Sequence, residues 1–325
     1  MNVAPSTPRS LLDLTSDELD IIMGYVGYKE IQVLRKVCSP LRDYIDRSQL
    51  DSELLRVKVE EFRSGTIQLW LISEGNTFII DYQKHPEGCF IEFEKYTEAG
   101  QLVNRTKLLK DVDYATTAGN DLGLILKHHQ STLDSFDFES KSIPQKRLTV
   151  EFSRIFLAGK KFHIWGAKEE LLMKFLPYLE PITLYSISIY SPSNVYLRLK
   201  KVLELDQWKT AKKFQAHYLT YNSPLATLAH FKSVCIWKYR LTTKNVMELK
   251  EILLRQIREY SYRSRFLIFY NLFSDKRKLM NWLQITRMDQ EAVHTIRTDS
   301  NRSLQIKWRP SGESIEFSVV VDPNM

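Results

Sequence analysis

The chain has 325 residues, 43% of them apolar and 12% aromatic, which is enough for a sizeable core and excludes a wholly disordered polypeptide. No window approaches the run of about 18 uncharged apolar residues that a membrane span requires. The net charge of +7 makes an acidic partner, protein or nucleic acid, worth weighing at each basic cluster.

Residues 1–10, MNVAPSTPRS, are expected to be a disordered lead and lack the apolar core of a signal peptide. Leu19, Ile22, Met23 and Val26 then recur at the spacing of one helical face. Ser16 and Asp17 stand where they can cap that helix, and Gly27 where it can end. A second run places Ile31, Leu34, Val37 and Cys38 on one side, with Arg35 and Lys36 outside. Ser39-Pro40 breaks it, because proline lacks a donor and restricts its predecessor. Leu41, Tyr44 and Ile45 start a third helix. Three such short helices lack a deep core of their own. They either cap the following domain or complete their burial against a partner.

Residues 51–132 form a β-rich and partly helical region. Thr66–Ile72, Asn76–Tyr82 and Phe90–Tyr96 are expected strands, with Glu74-Gly75-Asn76 as a turn, and 121–130 is an expected helix.

From Leu133 onward an apolar pattern repeats: a first position, then others at +3 and +5. The sets are Leu133, Phe136, Phe138; Gly159, Phe162, Ile164; Leu184, Ile187, Ile189; Ala211, Phe214, Ala216; and Phe231, Val234, Ile236. Arg263, Phe266 and Ile268 make a weaker sixth. The steps between first positions are 26, 25, 27, 20 and 32 residues, averaging inside the range of leucine-rich repeats, roughly 20 to 29 residues. Helical stretches fill the gaps at Lys168–Tyr178, Leu205–Lys213, Leu225–Phe231 and Thr243–Ile257. Stacked strand–helix units would produce this pattern, as would an ordinary α/β layer. The asparagine that commonly turns a leucine-rich repeat is missing after most sets. From residue 291 the texture changes to three strands, with Arg309-Pro310-Ser311-Gly312 as a turn, a small antiparallel cap for the stack.

Catalytic signatures are missing. There is no Walker loop, no GxGxxG, no GxSxG and no HExxH, and the histidines do not pair at metal spacing. The expectation is a protein that is not an enzyme, with no cofactor and no metal. Cys38, Cys89 and Cys235 are odd in number and far apart, which fits a reducing cytoplasmic or nuclear location. Basic residues cluster at Arg258, Arg263, Arg265, Lys276, Arg277 and Lys278, interleaved with Tyr260, Tyr262, Phe266 and Tyr270. Such a mixture could face an acidic protein or hold phosphates and stack bases, but no nucleic-acid-binding motif accompanies it, and a solvated face is equally compatible.

The N-terminal pattern resembles the F-box. Asp13-Leu14, the Leu19-to-Val26 face, Leu34-Arg35-Lys36-Val37-Cys38 and Leu41-Arg42 fall in register with that family. Thr15 stands where the family usually carries proline, and Glu18 where it is usually apolar. The segment Leu203-Glu-Leu-Asp-Gln-Trp-Lys-Thr-Ala-Lys-Lys-Phe214, followed by His230-Phe231, is similar to the FTH domain, which accompanies the F-box in a large nematode family. The resemblance implies a substrate receptor of a Skp–cullin–F-box ubiquitin ligase. Leu14, Leu19, Ile22, Met23, Val26, Leu34, Val37, Cys38 and Leu41 would be adaptor-binding. Gln207, Trp208, Ala211, His230 and Phe231 would carry the FTH motif. A target protein, conceivably acidic, would bind the FTH-like part. The expected fold class is α/β: F-box at 11–50, a β-rich region at 51–132, an FTH-like, leucine-rich-repeat-like domain at 133–290, and antiparallel strands at 291–325.

Overall fold

The fold was analysed in a computed structural model that describes residues 11–26, 31, 34–35, 37–48, 53–97, 102–127, 129, 131–140, 157–166, 168–259, 264–286, 291–298 and 302–321. The chain divides into two compact units, with the change at Leu133/Asp134; Leu157 and Ala158 belong to the first unit and the chain from Gly159 to the second.

The first unit begins with helices α1 (Ser16–Met23) and α2 (Ser39–Ser48). Of the expected helix between them, Ile31, Leu34–Arg35 and Val37–Cys38 are described, and the remainder lies outside the described residues. Five strands follow, β1 (Leu54–Phe62), β2 (Thr66–Ser73), β3 (Asn76–His85), β4 (Gly88–Thr97) and β5 (Leu102–Lys110), then helix α3 (Tyr114–Lys127). The strands form an antiparallel meander, each paired with the next. Alternation sends Val57, Val59, Ile67, Leu69 and Leu71 into the core. The α3 residues Ala115, Ala118, Leu122 and Leu126 are buried, and the Tyr82 hydroxyl on β3 donates to Asp121 on α3 at 2.7 Å.

The second unit is built on strands β6 (Ser135–Ser140), β7 (Lys161–Trp165), β8 (Ser186–Leu197), β9 (Lys213–Tyr221), β10 (Ser233–Thr242) and β11 (Arg265–Ser274). They lie side by side in chain order and every pair is parallel. The +3 positions of the sequence repeat fall in lateral register: Phe136 opposite Phe162, then Ile187, Phe214, Val234 and Phe266. The connectors are helix α4 (Glu169–Phe175) with a 3-10 turn at Leu176–Tyr178, a 3-10 turn at Val202–Glu204 with helix α5 (Asp206–Thr210), a 3-10 turn at Leu225–Leu228, and helix α6 (Thr243–Glu259). They pack on the face carrying the +3 and +5 residues. Phe175 meets Phe138 at 4.6 Å between ring centroids, and Trp208 meets Phe214 at 4.7 Å. Helix α7 (Lys276–Leu283) leads to β12 (Ala292–Arg297), β13 (Arg302–Arg309) and β14 (Ser314–Val321). Of these antiparallel strands, β14 pairs with β11 and so extends the parallel sheet. The Trp308 Nε1–H donates to the Tyr270 hydroxyl at 2.7 Å, tying β13 to β11 inside the core.

Candidate protein-interaction site

The N-terminal helices close a small core of their own. Leu19, Met23, Ile31, Leu41, Tyr44 and Ile45 are buried together, with Leu11, Leu14, Val26, Leu34 and Cys38 packed around them. Arg35 grips Asp46 with two bonds, Nε to Oδ1 at 2.6 Å and Nη2 to Oδ2 at 3.1 Å, and its carbonyl accepts from Arg42 Nε at 3.2 Å. The Tyr44 hydroxyl donates to Asp20, locking α2 to α1; burial and that carboxylate both push the Tyr44 pKa up.

The start of α1 corrects the sequence expectation. The cap is Thr15, not Ser16 or Asp17, and it forms a capping box. The Glu18 N–H donates to Thr15 Oγ1 at 3.3 Å, and the Thr15 N–H donates to Glu18 Oε2 at 2.8 Å. The two residues that depart from the F-box pattern are thus the pair that starts the helix. The helix ends at Met23 with Gly24 as its C-cap; the expected terminator, Gly27, lies outside the described residues.

Burial divides the expected adaptor-binding residues. Leu19, Met23 and Leu41 are 8%, 2% and 3% exposed, so these side chains hold the module together and do not reach outward. Leu14, Val26, Leu34 and Cys38 are half-buried around the same core. Ile22 and Val37 face solvent. The periodicity missed two more outward apolar residues, Ile21 and Tyr25, which are 65% and 89% exposed. Ile21 lies on the side of α1 away from Leu19 and Met23, and Tyr25 follows in the turn after the Gly24 cap, where spacing alone gives no reason for apolar side chains.

In the second unit the FTH-like residues form a core that binds successive connectors to one another. Trp208 is 1% exposed and edge-on to Phe214 and Phe231, the latter at 5.0 Å. Gln207 is buried, and its Nε2 donates back to the carbonyls of Pro177 at 3.1 Å and Leu179 at 2.8 Å. His230 Nε2 donates to the Trp208 carbonyl at 2.8 Å, and Gln256 donates to the Ala229 carbonyl. Each side chain reaches to the preceding connector and satisfies carbonyls there. Burial holds the His230 pKa below the usual histidine value. Ala211 and Phe231 are buried with them.

The basic cluster does not come together as one patch. Arg263 and the Arg258 side chain lie outside the described residues. Arg265 opens β11, whereas Lys276, Arg277 and Lys278 are exposed at the start of α7, beyond the far end of that strand. A ten-residue strand separates them by roughly 30 Å. Phe266 and Tyr270 are each 1% exposed and offer no face to a base.

The family model of the FTH domain matches residues 148–261, the segment that contains β7 to β10 and all of α6. Among curated proteins the chain is similar to F-box A protein 224 of Caenorhabditis elegans, 23% identical over 264 residues. The alignment covers 76% of this chain and 64% of that relative's length, so the chain spans less than two thirds of the relative. No solved structure matches. The two matches support a nematode-type F-box protein carrying an FTH domain.

Proposed function

We propose that the chain is a substrate-receptor subunit of a Skp–cullin–F-box ubiquitin ligase. Its N-terminal helices would hold the Skp-type adaptor, and the second unit, read as a leucine-rich-repeat-like stack, would hold a target protein. It contributes no chemical step of its own: the target's lysines are kept near a ligase supplied by other subunits.

The observation that carries this reading is that the helical module buries its own core yet leaves Ile21, Ile22, Tyr25 and Val37 at the surface. Apolar side chains with no use inside the module are suited to a partner's groove. The similarity to an F-box relative supports the same partner class. A nucleic-acid role finds less support, since the basic cluster is split by β11 and its described aromatic members are buried.

The test is capture of a Skp-type adaptor by the full chain. Ile21→Asp with Tyr25→Asp should weaken capture by roughly tenfold or more at unchanged circular dichroism, because both residues are exposed. Wild-type protein that fails to capture the adaptor ends the ligase reading.

A further inference from the structure

The connectors cover one face of the second unit's sheet, and the other face carries an ordered surface. Strand register arranges its side chains in three rows across the sheet. The first row runs Lys161, Ser186, Lys213, Ser233 and Arg265. Cations therefore stand on every second strand, about 10 Å apart, with small serines between them. The second row runs Asp137, His163, Ser188, Gln215 and Cys235 and is bonded to itself. Asp137 meets His163 at 3.0 Å, and the Ser188 hydroxyl donates to Gln215 at 3.3 Å. The third row is aromatic. Trp165 stacks on Tyr190 at 4.9 Å and 13°, Tyr190 on His217 at 4.6 Å and 8°, and farther along Trp237 stacks on Phe269 at 4.9 Å and 16°. Next to these, Tyr196 and Tyr239 are 55% and 46% exposed.

Ring geometry decides what this face can hold. Near-parallel rings whose centroids lie 4.6 to 4.9 Å apart must be stacked face to face along the sheet, because coplanar rings would collide at that distance. The faces between neighbouring rings are spent on one another, only the outer face of each end ring is left, and the edges point outward. Nucleobases need a free ring face. Ring edges carry the positive part of the aromatic quadrupole and suit aliphatic groups and carboxylates. The charge beside them is also positive. Among the described residues, neither Lys161 nor Lys213 forms an ion pair. Of the nearby carboxylates, Asp134 is engaged with Lys160 at 2.8 Å, Asp137 with His163, and Glu316 with Arg265 at 2.7 Å and Arg309 at 2.9 Å. Glu139 sits on β6 at the border of the face.

We propose that this open face, with the aromatic row Trp165–Tyr190–His217 and Trp237–Phe269 beside the cations Lys161 and Lys213, is the docking surface for an extended acidic segment of a partner protein. Apolar side chains of the segment lie across the ring edges while its carboxylates meet the two lysines. The proposal rests on the receptor reading in taking this face as the target side, but its chemistry is tested apart from the adaptor.

The full chain is used to select binders from a displayed library of random peptides of about a dozen residues, with the Lys161→Glu, Lys213→Glu double variant as counter-selection. Peptides that bind the wild type and not the variant should be acidic, with apolar residues interspersed. Their affinity should fall by roughly tenfold or more in the double variant and also in Trp165→Ala with Trp237→Ala. Adaptor capture should be unchanged in all these variants. If the double variant does not fold, Lys161→Glu alone serves, since Lys161 is exposed. The proposal is overturned if no peptide discriminates wild type from variant, or if the selected peptides are neutral or basic. It is equally overturned if the lysine changes abolish binding of a single-stranded oligonucleotide or a self-association of the chain instead. Loss of adaptor capture by the wild type, with peptide selection intact, would end the ligase reading and leave this face standing.

Discussion

His230 shows how one side chain links packing to pH. Its ring lies 4.0 Å from Phe231 between centroids, and its Nε2–H is committed to the Trp208 carbonyl. A second proton on Nδ1 would place a charge in the core. Burial, the largest cause, and the nearby Lys212 lower its pKa, and the bond to Trp208 offsets them only in part. A histidine whose folded pKa lies below the unfolded value of 6.5 binds more protons unfolded than folded, so stability rises with pH. The full stability is present above 6.5 and is lost as pH falls through 6.5 toward the folded value. His217, lowered by burial, Lys213 and His163, adds to the effect in the same direction. The urea midpoint should therefore drop between pH 7.5 and 5.5, and His230→Gln, which keeps a donor for Trp208, should drop less. Equal drops in wild type and variant would show that His230 plays no part.

At the level of elements, the parts of the chain with a regular period were legible and the parts governed by partners were not. The repeat from Phe136 to Ile268 could be read because each +3 residue stacks against the same position of its neighbour, so one steric need recurs along the sequence. Helix α6 and strands β2, β13 and β14 followed from local pattern alone. Strand β1 was missed because Glu60 and Glu61 are buried in it, masking the alternation, and β5 because most of its side chains are exposed and polar. The start of α3 was missed for a similar reason: Asp113 accepts from the Thr116 N–H at 2.9 Å, ahead of any apolar periodicity. At the candidate site, the apolar residues of the N-terminal helices were found, but sequence spacing cannot separate an inward from an outward residue when the helix is two turns long. The capping box is the sharpest case, since Thr15 and Glu18 looked like departures until their bonds were seen. Replacing Thr15 with Ala should cost about 1 kcal/mol locally. Hydrogen–deuterium exchange of the Leu19–Met23 amides should then quicken by about fivefold; unchanged exchange would mean that the box does not hold the helix.

For the whole molecule, the separation into two units sets which damage spreads. The N-terminal core contains six buried residues, and Leu19 is among them, so Leu19→Asp puts an unpaired carboxylate where nothing can solvate it. Such a burial costs several kcal/mol, more than so small a core can offset. Five of the six tryptophans, all but Trp70, lie in the second unit, so tryptophan emission reports that unit with little contribution from the first. Leu19→Asp should therefore abolish adaptor capture and part of the helical circular dichroism, while the tryptophan transition in urea stays within error of wild type. Ile21→Asp with Tyr25→Asp should also weaken capture, by roughly tenfold or more, but leave the helical signal intact, because those side chains are already in water. The pair of variants separates a module that has unfolded from one that has lost its contact surface. A tryptophan transition shifted as far by Leu19→Asp as the helical signal itself would show that the two units unfold as one and that the N-terminal module cannot be altered independently of the sheet.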